Sequence, residues 1–211
     1  MTTIVAIQGD GYACLGTDSR ISSFDDSGMA YQITTLGAGT SKIAVNGKYL
    51  LGAAGDVRAI NILHHAFIPP SPPASYKGRK LDMFITKQFI PALRECFEEQ
   101  GYAKPDNDEK AHMAEQDSTI IVVIHGIIYV IEGDYGWTSD SNGIYAIGTG
   151  APYALGALHT ITNGKKLAIS QAKTAITKAL GVSAKFDPYS GSPFTTFVQE
   201  YSPQVRGQRK V

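Results

Sequence analysis

The chain has 211 residues, 43% of them hydrophobic and 18% charged, which suits one compact domain over 1–211 with a core of ordinary size. Nineteen basic and nineteen acidic residues cancel, and neither sign forms a long block, so nothing points to a nucleic-acid groove or a polyanionic partner. The longest apolar runs, Ile120 to Ile124 and Gly126 to Ile131, fall far short of the roughly 20 residues of a membrane helix. No basic, apolar and small-residue leader opens the chain, so the expectation is a soluble, cytoplasmic protein. Cys14 and Cys96 form no C-x-x-C pair, and the five histidines lack the spacing of a zinc hydrolase. Neither a metal nor a cofactor is expected.

In chain order, Thr3 to Gln8 and Tyr12 to Thr17 read as two strands joined at Gly9-Asp10-Gly11. A polar, glycine-rich stretch from Ser22 to Ser41 follows, with strand character around Tyr31 to Thr35. Lys42 to Val45 and Lys48 to Ala53 then form a hairpin around Asn46-Gly47. Apolar residues recur at helical spacing from Val57 to Phe67, and that helix must end before the prolines at 69, 70, 72 and 73. A longer helix is predicted from Leu81 to Gln100, followed by an exposed loop over Lys104 to Gln116. Ser118 to Ile131 holds two strands split at His125-Gly126, and Ile144 to Ile147 is a third. Pro152 to Thr160 and Lys166 to Leu180 read as helices, and Phe194 to Tyr201 as a closing strand before a solvated basic tail with Arg206, Arg209 and Lys210. Strands grouped at the front and helices interspersed after them predict an α+β fold of two packed antiparallel sheets with helices outside.

The chemistry is concentrated near the N-terminus. A threonine hydroxyl needs a base within hydrogen-bond reach, and an N-terminal threonine carries one in its own α-amine, whose ordinary pKa of about 8 is close to neutrality. Thr2 would gain that amine on removal of Met1. Asp18 and Lys42 fall at strand ends, where they form either an ordinary surface pair or a pair beside Thr2, with Lys42 as a fixed positive charge that lowers the pKa of the amine and Asp18 as its positioning partner.

Thr2-Thr3-Ile4-Val5, Thr17-Asp18-Ser19-Arg20, Lys42-Ile43, Ala54-Gly55-Asp56, Gly148-Thr149-Gly150 and Asp187-Pro188-Tyr189-Ser190-Gly191 occur in that order across nearly the whole chain. Together they resemble the signature of proteasome β-subunits and the bacterial HslV peptidase, members of the N-terminal nucleophile (Ntn) hydrolases. The resemblance implies a four-layer αββα sandwich and a threonine-type endopeptidase. Thr2 matches the nucleophile, Asp18 and Lys42 the charged pair, and Gly55 the glycine whose N–H stabilises the oxyanion. Thr149, Asp187 and Ser190 match the cluster that holds the amine and a water. Two positions depart from the pattern: Thr149 stands where serine is usual, and Ser192-Pro193 follows Gly191 where a second glycine is common.

The resemblance also places substrate-binding positions at Arg20, Ile21, Ala44, Ala53 and Val57. The last four are apolar and imply a preference for large apolar residues. A peptide or unfolded-protein substrate is implied, with a homo-oligomeric ring whose sites face an enclosed chamber, served by an ATP-dependent unfoldase or by α-like subunits. Two other readings share the fold: a silent structural subunit, if Met1 is retained, and an Ntn amidase acting on a small molecule.

Overall fold

The computed structural model describes residues 2–24, 30–37, 39–102 and 116–202. Met1, the basic tail and all but the last residue of the loop expected at 104–116 lie outside the described residues.

Two sheets are built around central strands that are buried along most of their length. The first has the order β10-β1-β2-β11, all antiparallel, from Ile4–Gly9 (β1), Tyr12–Thr17 (β2), Ile144–Ile147 (β10) and Thr195–Glu200 (β11). The second has the order β5-β6-β7-β8-β9, from Ile43–Asn46, Tyr49–Ala54, Thr119–Ile124, Ile127–Ile131 and Trp137–Thr138. Arg20–Phe24 (β3) and Ala30–Thr35 (β4) pair as a separate hairpin. The period of two along each strand sorts its side chains into different layers. In β1, Ile4 and Ala6 join the core between the sheets, whereas Val5 and Ile7 join the core under the helices α4 (Ala151–Thr162) and α5 (Ile169–Phe186). In β7, Ile121 and Val123 face the first sheet while Ile120, Val122 and Ile124 face the other helices, α1 (Val57–His65), α2 (Arg79–Phe84) and α3 (Ile90–Glu99). Helix, sheet, sheet, helix is the resulting layer order, the αββα sandwich.

Four local features depart from the sequence-based expectation, each for a physical reason. Helices α2 and α3 are joined by a π-helical turn, Ile85–Phe89, in which Ile90 N–H donates to Ile85 O. Pro91 follows, and its ring lacks an N–H and crowds the carbonyl four residues back, which the wider turn accommodates. Helix α5 continues through Gly181 to Phe186, because its next turn still has Ser183 to bury. β3 forms in the stretch read as polar coil, paired with β4 from Arg20↔Thr35 onward. β9 is two residues long and carries no periodic signal. The β7–β8 turn needs left-handed backbone at both central residues, and His125 and Gly126 have φ of 53° and 71°.

The first sheet lies close under α5 because Gly16 has no side chain. A Cβ there would stand 2.3 Å from Ile176 Cγ2 and 3.1 Å from Leu180 Cδ1. Gly16→Val is expected to lower stability by about 1–3 kcal/mol, the usual cost of overpacking, read from the urea unfolding midpoint. Tyr135 has a buried hydroxyl with no hydrogen-bond partner, and burial pushes its pKa up to about 12. Tyr135→Phe removes that orphan and is expected to stabilise by about 1 kcal/mol at neutral pH. A raised folded-state pKa contributes stability that is present below the unfolded value of about 10 and is lost as pH rises through the folded value. The Phe variant should therefore show a shallower decline between about pH 10 and about pH 12.

Candidate functional site

Asp18 lies in the short connection between β2 and β3 and is 1% exposed. Each carboxylate oxygen accepts two hydrogen bonds. Oδ1 takes Thr3 N–H at 3.0 Å and Lys42 Nζ at 2.6 Å; Oδ2 takes Arg20 N–H and Gly191 N–H, each at 3.0 Å. Lys42 sits just ahead of β5, fully buried, and also donates to Arg20 O at 2.5 Å. Burial pushes the Lys42 pKa below the ordinary lysine value, while the Asp18 charge and hydrogen bond act in the opposite direction.

A second group of polar side chains lies behind the N-terminal strand. Ser190 Oγ donates to Asp187 Oδ2 at 2.6 Å, and Thr149 Oγ1 donates to the same oxygen at 2.9 Å. With its proton on Asp187, Ser190 accepts from Thr3 Oγ1 at 2.5 Å. Ser183 Oγ lies 2.8 Å from Thr3 Oγ1 and 3.1 Å from Gly150 O, and its one proton serves these two acceptors. The hydroxyls of Thr3 and Ser190 are thus polarised in series toward one carboxylate. Gly150 makes room for it: a Cβ there would fall 1.9 Å from Ser183 Oγ and 2.0 Å from Thr3 Oγ1.

Thr2, 2% exposed, forms part of the wall of a cavity of about 770 Å³ that Gly55, Val57, Gly148 and Thr149 also line. Gly148 packs its backbone on the Thr2 carbonyl, where a Cβ would fall 2.0 Å from Thr2 O. Gly55 has φ of +136°, and a Cβ there would collide with Asp117 O at 2.4 Å. No other residue fits that corner, which leaves backbone at the cavity wall between β6 and the N-terminus of α1.

Of the residues singled out by sequence, Thr2, Gly55, Thr149 and Val57 line this cavity, and Asp18, Lys42, Asp187 and Ser190 are buried. Arg20 turns elsewhere: its Nη1 donates to Pro188 O at 2.8 Å, and its guanidinium fills the space over Gly191. Ala44 and Ala53 lie in the core beneath α1, 1% and 0% exposed, away from the cavity lining, and Ile21 is half-buried on β3. Thr3 and Ser183 join the network without having been anticipated. Ser183 did leave a signal, a lone hydroxyl on the apolar face of α5 that carries Ala172, Ala175, Ile176, Ala179 and Leu180. Among the described residues no group of three His, Cys, Asp or Glu is placed to hold a metal ion.

Removing one partner of a buried ion pair leaves the other charge without compensation. Lys42→Met, close in volume and uncharged, is expected to lower stability by about 3 kcal/mol or more, whereas Lys48→Met at an exposed position should change it by less than about 0.5 kcal/mol. Paired urea titrations check both.

Neither protein-family models nor curated proteins give a match to this sequence. Solved structures do. The BPH protein of Thiobacillus denitrificans in complex with epoxomicin is 21% identical, with 95% of this chain and 100% of that chain covered at a TM-score of 0.69. A second structure of T. denitrificans BPH is 20% identical, covering 95% and 99% at 0.69. Eukaryotic HslV from Trypanosoma brucei is 18% identical, covering 94% and 99% at 0.60. The chain therefore shares its fold, the αββα sandwich described above, with T. brucei HslV and T. denitrificans BPH over nearly its whole length.

Proposed function

We propose that this protein is a threonine-type endopeptidase whose nucleophile is Thr2, made N-terminal by removal of Met1, on a single domain spanning 1–211. The observation that carries the reading is the placement of Thr2 on a cavity wall, next to Thr3, whose N–H is held by Asp18 and whose hydroxyl is held by the Ser190–Asp187 pair. The fold shared with BPH, solved with epoxomicin bound, supports it.

In this mechanism the Thr2 α-amine takes the proton of Thr2 Oγ1 as the oxygen attacks the peptide carbonyl carbon. The charge that develops on the carbonyl oxygen is received by Gly55 N–H. The resulting α-ammonium gives its proton to the leaving nitrogen as the C–N bond breaks, and an ester to Thr2 remains. Water then adds to the ester, its proton passing to the amine, and Thr2 Oγ1 leaves with that proton restored. Lys42, buried one residue's reach from the site, supplies a fixed positive charge that favours the neutral amine and the attacking oxyanion. Asp18 fixes that charge in place, while Thr149, Ser190 and Asp187 orient the amine end of β1. In this reading the protein is cytoplasmic, and its subunits form a homo-oligomeric ring that encloses the sites and is fed with unfolded chain by an ATP-driven unfoldase or α-like subunits.

Intact mass and peptide mapping, before and after a peptide epoxyketone that needs both the hydroxyl and the free amine of one residue, test the chemistry. One adduct on Thr2, absent from Thr2→Ala, is expected. Loss of Met1 with no adduct would turn the reading toward an amidase for another acyl substrate, and a retained Met1 would turn it toward a silent subunit. Light scattering on the eluted 22.6 kDa chain checks the ring, which a monomer would rule out.

A further inference from the structure

The cavity beside Thr2 holds more than the catalytic groups. Its charged lining, among the described residues, is Asp56 and Asp117, both exposed; Asp56 follows Gly55 in the chain, and the Asp117 carbonyl oxygen packs against Gly55. Asp56 caps α1 by accepting Arg58 N–H at 2.9 Å on Oδ1, and the Arg58 guanidinium is drawn to Gln100 O at the end of α3. Thus the nearest cation in sequence is committed to a carbonyl. Both carboxylates also act on the phenol of Tyr102, whose pKa is raised by burial first and by Asp56 and Asp117 in addition.

A second observation at the same cavity is independent of charge. Ser22 on β3 lines it, is 8% exposed, and has an Oγ without any hydrogen-bond partner. A buried hydroxyl without a partner costs stability that an occupant able to bond it would recover.

We propose that, given the peptidase reading above, the cleft selects peptides that place a lysine or arginine side chain between Asp56 and Asp117 while their main chain bonds Ser22 Oγ. This differs from the apolar preference that the sequence implies. Ala44 and Ala53, on which half of that preference rested, are sealed beneath α1 and offer nothing to a substrate. Selection falls instead to the side chains that line the cavity, and the charged ones are acidic.

Peptides carrying a C-terminal aminocoumarin, with lysine or its uncharged analogue norleucine at each of the three positions before the cleaved bond, provide the test. Because the carboxylates are exposed, the preference is moderate: kcat/KM for lysine over norleucine should be about five- to ten-fold at one position in low salt, and should shrink in 1 M NaCl. The ratio is read within each variant, so it does not depend on overall activity. Asp56→Asn/Asp117→Asn should bring it close to one, with asparagine keeping the α1 cap. Ser22→Ala should raise KM for both peptides alike. Equal or better cleavage of norleucine at all three positions would overturn the proposal, as would a lysine preference that survives the double variant. Fluorescence anisotropy of the same peptides, fluorescein-labelled, on the Thr2→Ala protein reads the selection without turnover. Selective binding with no epoxyketone adduct would keep the cleft's selectivity and remove the peptidase reading. An adduct without selectivity would remove the selectivity alone, and failure of both peptides to bind would overturn it too.

Discussion

The Asp18 carboxylate is the interaction on which the rest of the structure depends. Its four accepted hydrogen bonds come from four separate segments: the start of β1, the start of β3, the residue ahead of β5, and the turn after α5. An ionised carboxylate has about four lone-pair sites, so the group is satisfied by protein alone, three times by backbone N–H and once by a charged partner. A buried charge with fewer donors would cost several kcal/mol, which makes this arrangement hard to change in part. The same four bonds bring the first sheet, the β3–β4 hairpin and the edge of the second sheet to one point. Thr2 is one residue from that point, so its backbone is set by the fold's most constrained junction.

The hydroxyl relay works differently. Thr3 and Ser190 each have one proton, and Asp187 has only acceptors, so once Asp187 is ionised both of their bonds run toward it, while the Ser183 proton is shared between Thr3 Oγ1 and Gly150 O. The relay ties the end of α5 to β1 through side chains, where the Asp18 junction uses mostly backbone. Thr149 reaches the same Asp187 oxygen from the start of α4, and the methyl that distinguishes it from serine leaves this hydrogen bond at 2.9 Å. Pro193 is accommodated as well: its carbonyl accepts from Ser19 Oγ at 2.7 Å, so the segment is held through its acceptor where a donor is missing. Both departures from the family pattern thus keep a hydrogen-bonded place in the site's surroundings.

Much of this could be read from residues in order. Strands with β-branched alternation, the Asn46-Gly47 turn, and the proline stop after α1 are local signals, and they fall where local physics puts them. Asp18 and Lys42 were legible as a pair from their places at strand ends, though an ordinary surface pair would read the same way; Asp187 and Ser190 were legible only through the ordered motifs that carry the resemblance. The cavity wall was not legible. Whether Ala44 and Ala53 face a cleft or a core depends on how α1 packs over β5 and β6, a tertiary fact that two alanines cannot announce. Asp56 and Asp117 are 61 residues apart and come to the same cavity because β6 pairs with β7, Ala54↔Thr119. β3 hid for a related reason: a hairpin apart from both sheets has no buried face to impose an alternating pattern.

Among the described residues, two buried side-chain hydroxyls have no partner, those of Ser22 and Tyr135. The same physical defect has opposite meanings in the two places. Tyr135 belongs to the core cluster under α1 to α3, away from the cavity that Thr2 lines, so the unmade bond is a plain cost. Ser22 stands on the wall of the cavity that Thr2 also lines, where, on the proposed peptidase reading, an entering peptide main chain would recover the unmade bond. A site that binds chain after chain and must release each product gains from such an arrangement, because the hydroxyl contributes to binding without being occupied between substrates. Location relative to the cavity, more than the missing partner itself, therefore separates a defect of packing from a subsite.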